Sequence, residues 1–259
     1  MDKAPLTKHL FELRNRIVVS LITVGITFGI CFYYSEYIFD LLTSPMRHTL
    51  SFSLNNPYLS FIPAQNPDLT LVFLAPAEAF WMHMKIAFIS ACVISLPVIS
   101  LEIWKFVAPG MLLKEKKYAV PFIITTTFLF LIGALFCFVI VLPLAIDFLL
   151  NYKTQNIKPM ISAEKYIDFC LKFIIAFGAI FELPVLVVFL TRMGIVTTDF
   201  LAKNRKYAVL ISFVIAAILT PTPDVFNQTL MAVPIIILYE AGILASRILN
   251  RKKTQTASK

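Results

Sequence analysis

The chain has 259 residues, of which 59% are hydrophobic and only 15% charged, and its mean hydropathy is +0.82. Soluble domains run at roughly 45–50% apolar and about 25% charged, and a chain of this size cannot hide such an excess in one water-soluble core. The composition excludes a soluble enzyme and a disordered chain. Four cysteines are too few for a disulfide-stapled secreted domain, so a polytopic membrane protein remains.

The elements follow in chain order. Leu6, Leu10, Leu13 and Ile17 form a stripe at helical spacing, so residues 1–16 read as an amphipathic cytoplasmic helix. The first span is expected at about Ile17–Tyr34. Within it, Gly25 and Gly29 make a G-x-x-x-G face for helix packing, within the monomer rather than in a dimer. It is too long for the apolar core of a cleaved signal, and no small-residue cleavage site follows. Residues 35–79 carry Pro45, Pro57, Pro63, Pro67 and Pro76 and read as an external cap with turns. Further spans are expected at about Phe80–Trp104, Tyr118–Leu142, Phe169–Thr191, Tyr207–Leu219 and Leu230–Ser246, each an apolar run of helical character. The last two are short and are joined by the turn Pro221–Asp224. Pro184 cannot donate to the Ile180 carbonyl, so the fourth span should kink there.

Charge orients the spans. The N-terminal tail, the second-to-third loop, the fourth-to-fifth loop and the basic C-terminal tail 247–259 carry +2, +3, +3 and +5, whereas the three opposite segments carry −3, 0 and −1. Lys and Arg collect on the cytoplasmic side. The expected fold is therefore an all-α membrane protein of six transmembrane helices in a concave bundle, one polytopic domain with both termini cytoplasmic. The net charge of +8 is a topology signal, and no nucleic-acid partner is needed to explain it.

The chain has no G-x-x-x-x-G-K-[ST] loop, no H-E-x-x-H and no G-x-S-x-G. His9, His48 and His83 are scattered. Cys31, Cys92, Cys137 and Cys170 sit singly in apolar runs and read as small buried hydrophobes. No catalytic residue, metal site or cofactor is expected, and the protein reads as a non-enzyme.

Three acids stand out. Glu12 has Lys8 and Arg16 four residues to either side, and pairing within the helix is its plainest role. Glu115 is the acid in Lys114-Glu115-Lys116-Lys117. It is either a solvated charge or, with Glu12, a holder of two positive groups, for which a guanidinium suits a carboxylate best. Glu182 lies inside the fourth span with no basic residue three or four positions away. An acid at that depth needs a partner, a polar cavity or a proton. Glu102 and Glu240, near span ends, are expected to pair or snorkel.

With these residues in view, the chain resembles the TatC family, the polytopic subunit of the twin-arginine protein translocase. His9-Leu10-x-Glu12-Leu13-Arg14-x-Arg16 resembles the family's opening. The likeness continues through Ser44-Pro45, Ala75-Pro76-Ala77-Glu78-Ala79-Phe80 and Trp104-Lys105-Phe106-Val107-Ala108-Pro109-Gly110 with Glu115-Lys116-Lys117. It ends with Phe181-Glu182-Leu183-Pro184-Val185, Arg205-Lys206-Tyr207, and Leu219-Thr220-Pro221 through Asp224 to Gln228. The turn departs from the family's common Thr-Pro-Pro-Asp, and the external stretch is longer than in compact relatives.

The resemblance implies a receptor for twin-arginine signal peptides of folded proteins, in a translocase driven by the proton motive force across the cytoplasmic membrane. It implies TatB-type and TatA-type single-span partners and further TatC copies. Glu12 and Glu115 would receive the two signal arginines, with Arg14, Phe106 and Pro109 in the same signal-peptide-binding surface. Glu182 would be the polar residue on the concave intramembrane face. Thr220 and Gln228 would flank the contact with a partner helix. Two other readings stay open: a secondary transporter with a proton or ion site at Glu182, and a structural membrane scaffold.

Overall fold

The computed structural model describes residues 6–52, 59–63, 71–107, 119–151, 160–220 and 224–257. The chain divides into two compact units. One comprises Met1–Arg47, Gln65–Phe128 and Ile157–Leu171, the other His48–Ala64, Leu129–Asn156 and Lys172–Lys259.

In the first unit, helix α1 (Leu6–Tyr33) runs antiparallel to the helix α3 (Glu78–Val107). The expected interfacial segment is simply the first turns of α1, continuous with the span. Cys31, Ala87 and Ala91 are buried where the two helices meet, with Val24 and Phe28 packed against them. Thr27 Oγ1 lies 2.8 Å from Ser95 Oγ across the seam. Small side chains let the backbones approach, and the hydroxyls satisfy each other in an apolar setting. The glycine face expected to pack within the monomer does not do so: a Cβ at Gly25 or Gly29 would meet nothing within 4 Å. Val24, Phe28 and Cys31, about 100° around the helix, make the interface instead, through van der Waals contact with Ala87 and Ala91.

Between α1 and α3 the expected turns include a helix, α2 (Ser35–Arg47). It buries Leu42, Thr43 and Met46 and leaves Tyr37 and Leu41 exposed. Pro45 sits in its last turn. Strand β3 (Leu71–Val72) pairs in parallel with β4 (Ile161–Ser162).

In the second unit, β1 (His48–Phe52) pairs antiparallel with β2 (Leu59–Pro63), placing His48 opposite Pro63. The third and fourth spans are divided between the two units, at Phe128 and at Leu171; the third begins as α4 (Ala119–Phe136), passes through a π turn at Cys137–Val141 and continues as α5 (Leu142–Asn151). The Leu142 amide donates to the Cys137 carbonyl, a wider turn that brings the chain to Pro143, which has no N–H to donate. The fourth span is α6 (Ala163–Phe181) and α7 (Leu183–Arg192), broken at Glu182. The kink expected from Pro184 is present: the Glu182 amide bonds the Ala179 carbonyl at 3.2 Å in a tightened turn.

A short α8 (Thr198–Lys203), capped by the Thr197 hydroxyl, leads into α9 (Arg205–Leu219). At 15 residues α9 covers about 22 Å at 1.5 Å per residue, less than the roughly 30 Å hydrocarbon core. The final helix, α10 (Val225–Ala257), is not short as expected but has 33 residues. Asp224 caps its start by accepting the Asn227 amide at 2.7 Å and the Asn227 side-chain amide at 3.0 Å. Polar residues that read as turn are thereby absorbed into its first turn. At the other end Arg, Lys and Gln are good helix formers that also suit a helix C-terminus. Gly242 lets α10 approach α7, its ideal Cβ position only 3.1 Å from Pro184 Cα. Thr191 and Ser246 hydroxyls meet at 2.5 Å in the same seam.

Among the described residues five helical segments are long and apolar enough to cross a membrane: Leu10–Tyr33, Glu78–Phe106, Val120–Leu150, Ala163–Arg192 and Val225–Leu249.

Candidate functional site

The antiparallel pairing of α1 and α3 brings the start of one helix to the end of the other. There Arg16 donates to Glu102 Oε2 at 3.1 Å, and Lys105 reaches Glu102 Oε1 at 2.6 Å. The Glu102 side chain is 5% exposed. Buried carboxylates persist where cations and donors compensate them, and this one has two cations. Trp104, also buried, packs its ring 4.9 Å from Phe122 and anchors the same turn of α3.

Glu12 lies one turn before Arg16 and is half-buried. The expected i, i+4 pair with Arg16 is not formed, because Arg16 is engaged across the helix pair by Glu102. Glu12 has no hydrogen bond or ion pair among the described residues. Arg14 is exposed, and Phe106, one turn beyond Glu102, is half-buried. Three of the five expected signal-binding residues, Glu12, Arg14 and Phe106, thus lie on the two adjoining helix ends. Pro109 and Glu115 lie outside the described residues.

The other expected positions fall in the second unit. Glu182 is the half-buried residue at the break between α6 and α7. Thr220 ends α9, buried, with its hydroxyl donating to the Ala216 carbonyl at 2.8 Å. The Gln228 amide donates to the Phe213 carbonyl at 3.0 Å, tying α10 to α9. One face of α9 buries Ser212 and Ala216, while Leu210, Ile211, Val214 and Ile218 are exposed. Glu240 pairs with Arg205 as its position near a span end implied.

Sequence reasoning missed a second polar group in the first unit. Lys85 reaches Glu164 at 2.6 Å and Asp168 at 2.9 Å. Nearby, the buried Glu78 carboxylate accepts hydrogen bonds from the Ser162 hydroxyl and from the amides of Leu74, Ala75 and Glu164. A lysine within an apolar run, facing two acids spaced i, i+4 on another helix, was the available signal. Among the described residues no group of three His, Cys, Asp or Glu side chains is placed to hold a metal ion. At these helix ends the first unit places the half-buried Glu12 carboxylate near two cations that share the buried Glu102.

Long apolar helices with polar groups confined to their ends and seams define a multi-pass, all-helical membrane protein. The family model described as Sec-independent protein translocase protein (TatC) matches residues 8–234. The chain is 39% identical over 252 residues to a Sec-independent protein translocase protein TatC of Desulforapulum autotrophicum, covering 97% of this chain and 87% of that one. It is 37% identical over 253 residues to the protein of that description from Aquifex aeolicus, covering 97% and 98%. Two crystal structures described as the twin arginine translocase receptor TatC, one of them in DDM, superpose with TM-scores of 0.75 and 0.77 at 37% identity. They cover 93% and 92% of this chain and 98% and 99% of theirs. The chain belongs to the TatC family of Sec-independent protein translocase proteins, a family of transport components rather than catalysts.

Proposed function

We propose that this chain is the receptor for twin-arginine signal peptides and the core subunit of a translocase that exports folded proteins on the proton motive force. The observation that carries the proposal is the Glu12 carboxylate at the joined ends of α1 and α3, which has no cation partner among the described residues, the side chain of Lys8 lying outside them. A carboxylate takes a guanidinium through two parallel N–H···O bonds, a fit an ammonium cannot reproduce. Glu12 receives one signal arginine and Glu115 the other. Phe106 and Pro109 shape the surface, and the exposed Arg14 donates to peptide carbonyls.

The protein lies in the cytoplasmic membrane with both termini and this surface in the cytoplasm. α9 serves as a sixth, short crossing. Its exposed apolar face, bounded by Thr220 and Gln228, receives a TatB-type or TatA-type helix, and further TatC copies complete the assembly. Glu182 is the polar point on the path of the signal's apolar stretch. A small-solute transporter working through Glu182 is not favoured, because the family is one of protein translocases.

The test is photocrosslinking in membranes from a probe beside Glu115 to a labelled signal peptide bearing Arg-Arg or Lys-Lys. A crosslink that requires Arg-Arg is expected. No crosslink to either peptide from folded protein would overturn the receptor reading.

A further inference from the structure

We propose that Glu102 is a positioning residue for arginine recognition: by holding Arg16 on α3, it keeps the Glu12 carboxylate open to an incoming guanidinium. The inference rests on Glu12 being an arginine acceptor.

Glu12 and Arg16 are four residues apart on a continuous helix, with the acid on the N-terminal side. That is the favourable order for an intrahelical ion pair. Such a pair would fill the acceptor site from within the chain. It does not form because Arg16 has a stronger claimant. Glu102 is 5% exposed and lies 3.1 Å from the Arg16 guanidinium. An unpaired acid there would be poorly solvated, so the buried carboxylate holds its cations more firmly than a surface acid can. Lys105 shares Glu102 at 2.6 Å, three residues along the same helix. The side chains of Arg16, Glu102 and Lys105 carry a net charge of +1. Neutralising Glu102 raises this to +2 beside Glu12 and frees Arg16 to close on it.

The test measures binding of a fluorescent synthetic signal peptide bearing Arg-Arg to the full chain in lipid nanodiscs. Glu102→Gln is expected to weaken binding roughly two- to tenfold. Adding Arg16→Gln to Glu102→Gln is expected to restore affinity to about the wild-type value, because the internal competitor is gone. A purely structural role for Glu102 predicts no such rescue. Wild-type affinity in Glu102→Gln, or a double variant as weak as the single, would overturn the inference. Arg16→Gln alone leaves Glu102 paired with Lys105 and is expected to bind at least as tightly as the wild type. It carries the test if Glu102→Gln fails to fold, and weaker binding by the folded Arg16→Gln protein would overturn the proposal. Glu12→Gln separates the two readings: no effect there removes the acceptor itself, whereas lost binding there with an unaffected Glu102→Gln removes only the positioning role.

Discussion

Lys85 on α3 reaches Asp168 on α6 across 83 positions of sequence, its ammonium 2.9 Å and 3.0 Å from the two carboxylate oxygens. Glu164, one turn earlier on α6, takes the same ammonium at 2.6 Å. One cation therefore offsets two acids that would otherwise repel each other along one helix face.

Replacing Lys85 with Met should lower stability by about 1 kcal/mol. The Lys85 side chain is 36% exposed, and solvent screening keeps the pair energies small. Thermal unfolding of the detergent-solubilised protein checks this. A second change, Asp168→Asn, should recover part of the loss by removing the repulsion, and a double variant weaker than the single would contradict the account.

Glu78 stands at the first turn of α3 and accepts from two amides before it, from Ser162 and from the α6 amide of Glu164. Glu78→Ala should strand those donors and lower the melting temperature by several degrees. Glu78→Gln keeps an acceptor oxygen and should lose less. Equal melting temperatures for the two variants would show that the hydrogen bonds do not hold this end of the unit.

Gly133 and Gly25 should respond oppositely to one added methyl group. A Cβ at Gly133 would stand 2.6 Å from the Phe177 carbonyl oxygen and 2.8 Å from Phe181 Cβ, so the helices must separate. Gly133→Ala should cost about 1–3 kcal/mol. Gly25→Ala and Gly29→Ala meet nothing within 4 Å and should raise the monomer's stability by about 0.5–1 kcal/mol, because alanine is the better helix former. Unfolding curves for the three variants decide the point.

Asp224 caps α10 through the Asn227 amide at 2.7 Å. Asp224→Ala should cost about 0.5–2 kcal/mol, and Asp224→Asn much less, because Asn also caps well. Faster amide exchange confined to the first turn of α10 is the expected signature. Uniform protection across that helix would contradict it.

Much of the fold was legible because a bilayer-length apolar run is a local property. The helices α1, α3, α4 and α9 fall where hydropathy placed them. The break at Glu182 was legible as well, since Pro184 lacks a donor whatever surrounds it. The π turn ahead of Pro143 was not, because a proline requires relief without specifying its form. α2 was hidden by counting Pro45 as a turn, although a proline in a last turn is tolerable when neighbouring residues bury a face. The length of α10 was hidden because Asn227 and Gln228 read as loop until Asp224 and the Phe213 carbonyl received them.

At the candidate site the division is sharper. Residue types and spacing alone placed Glu12 on a helix within reach of Arg16 and Glu102 near a span end, where it would pair or snorkel, with no phosphate-binding loop or metal-binding motif in the sequence. Spacing along one helix made Glu12 the natural partner of Arg16. Only the tertiary structure decided otherwise, by laying the end of α3 against the start of α1 and burying Glu102 there. Charge pairing in a helical membrane protein follows burial as much as proximity, and burial is a property of packed helices that no stretch of one helix contains.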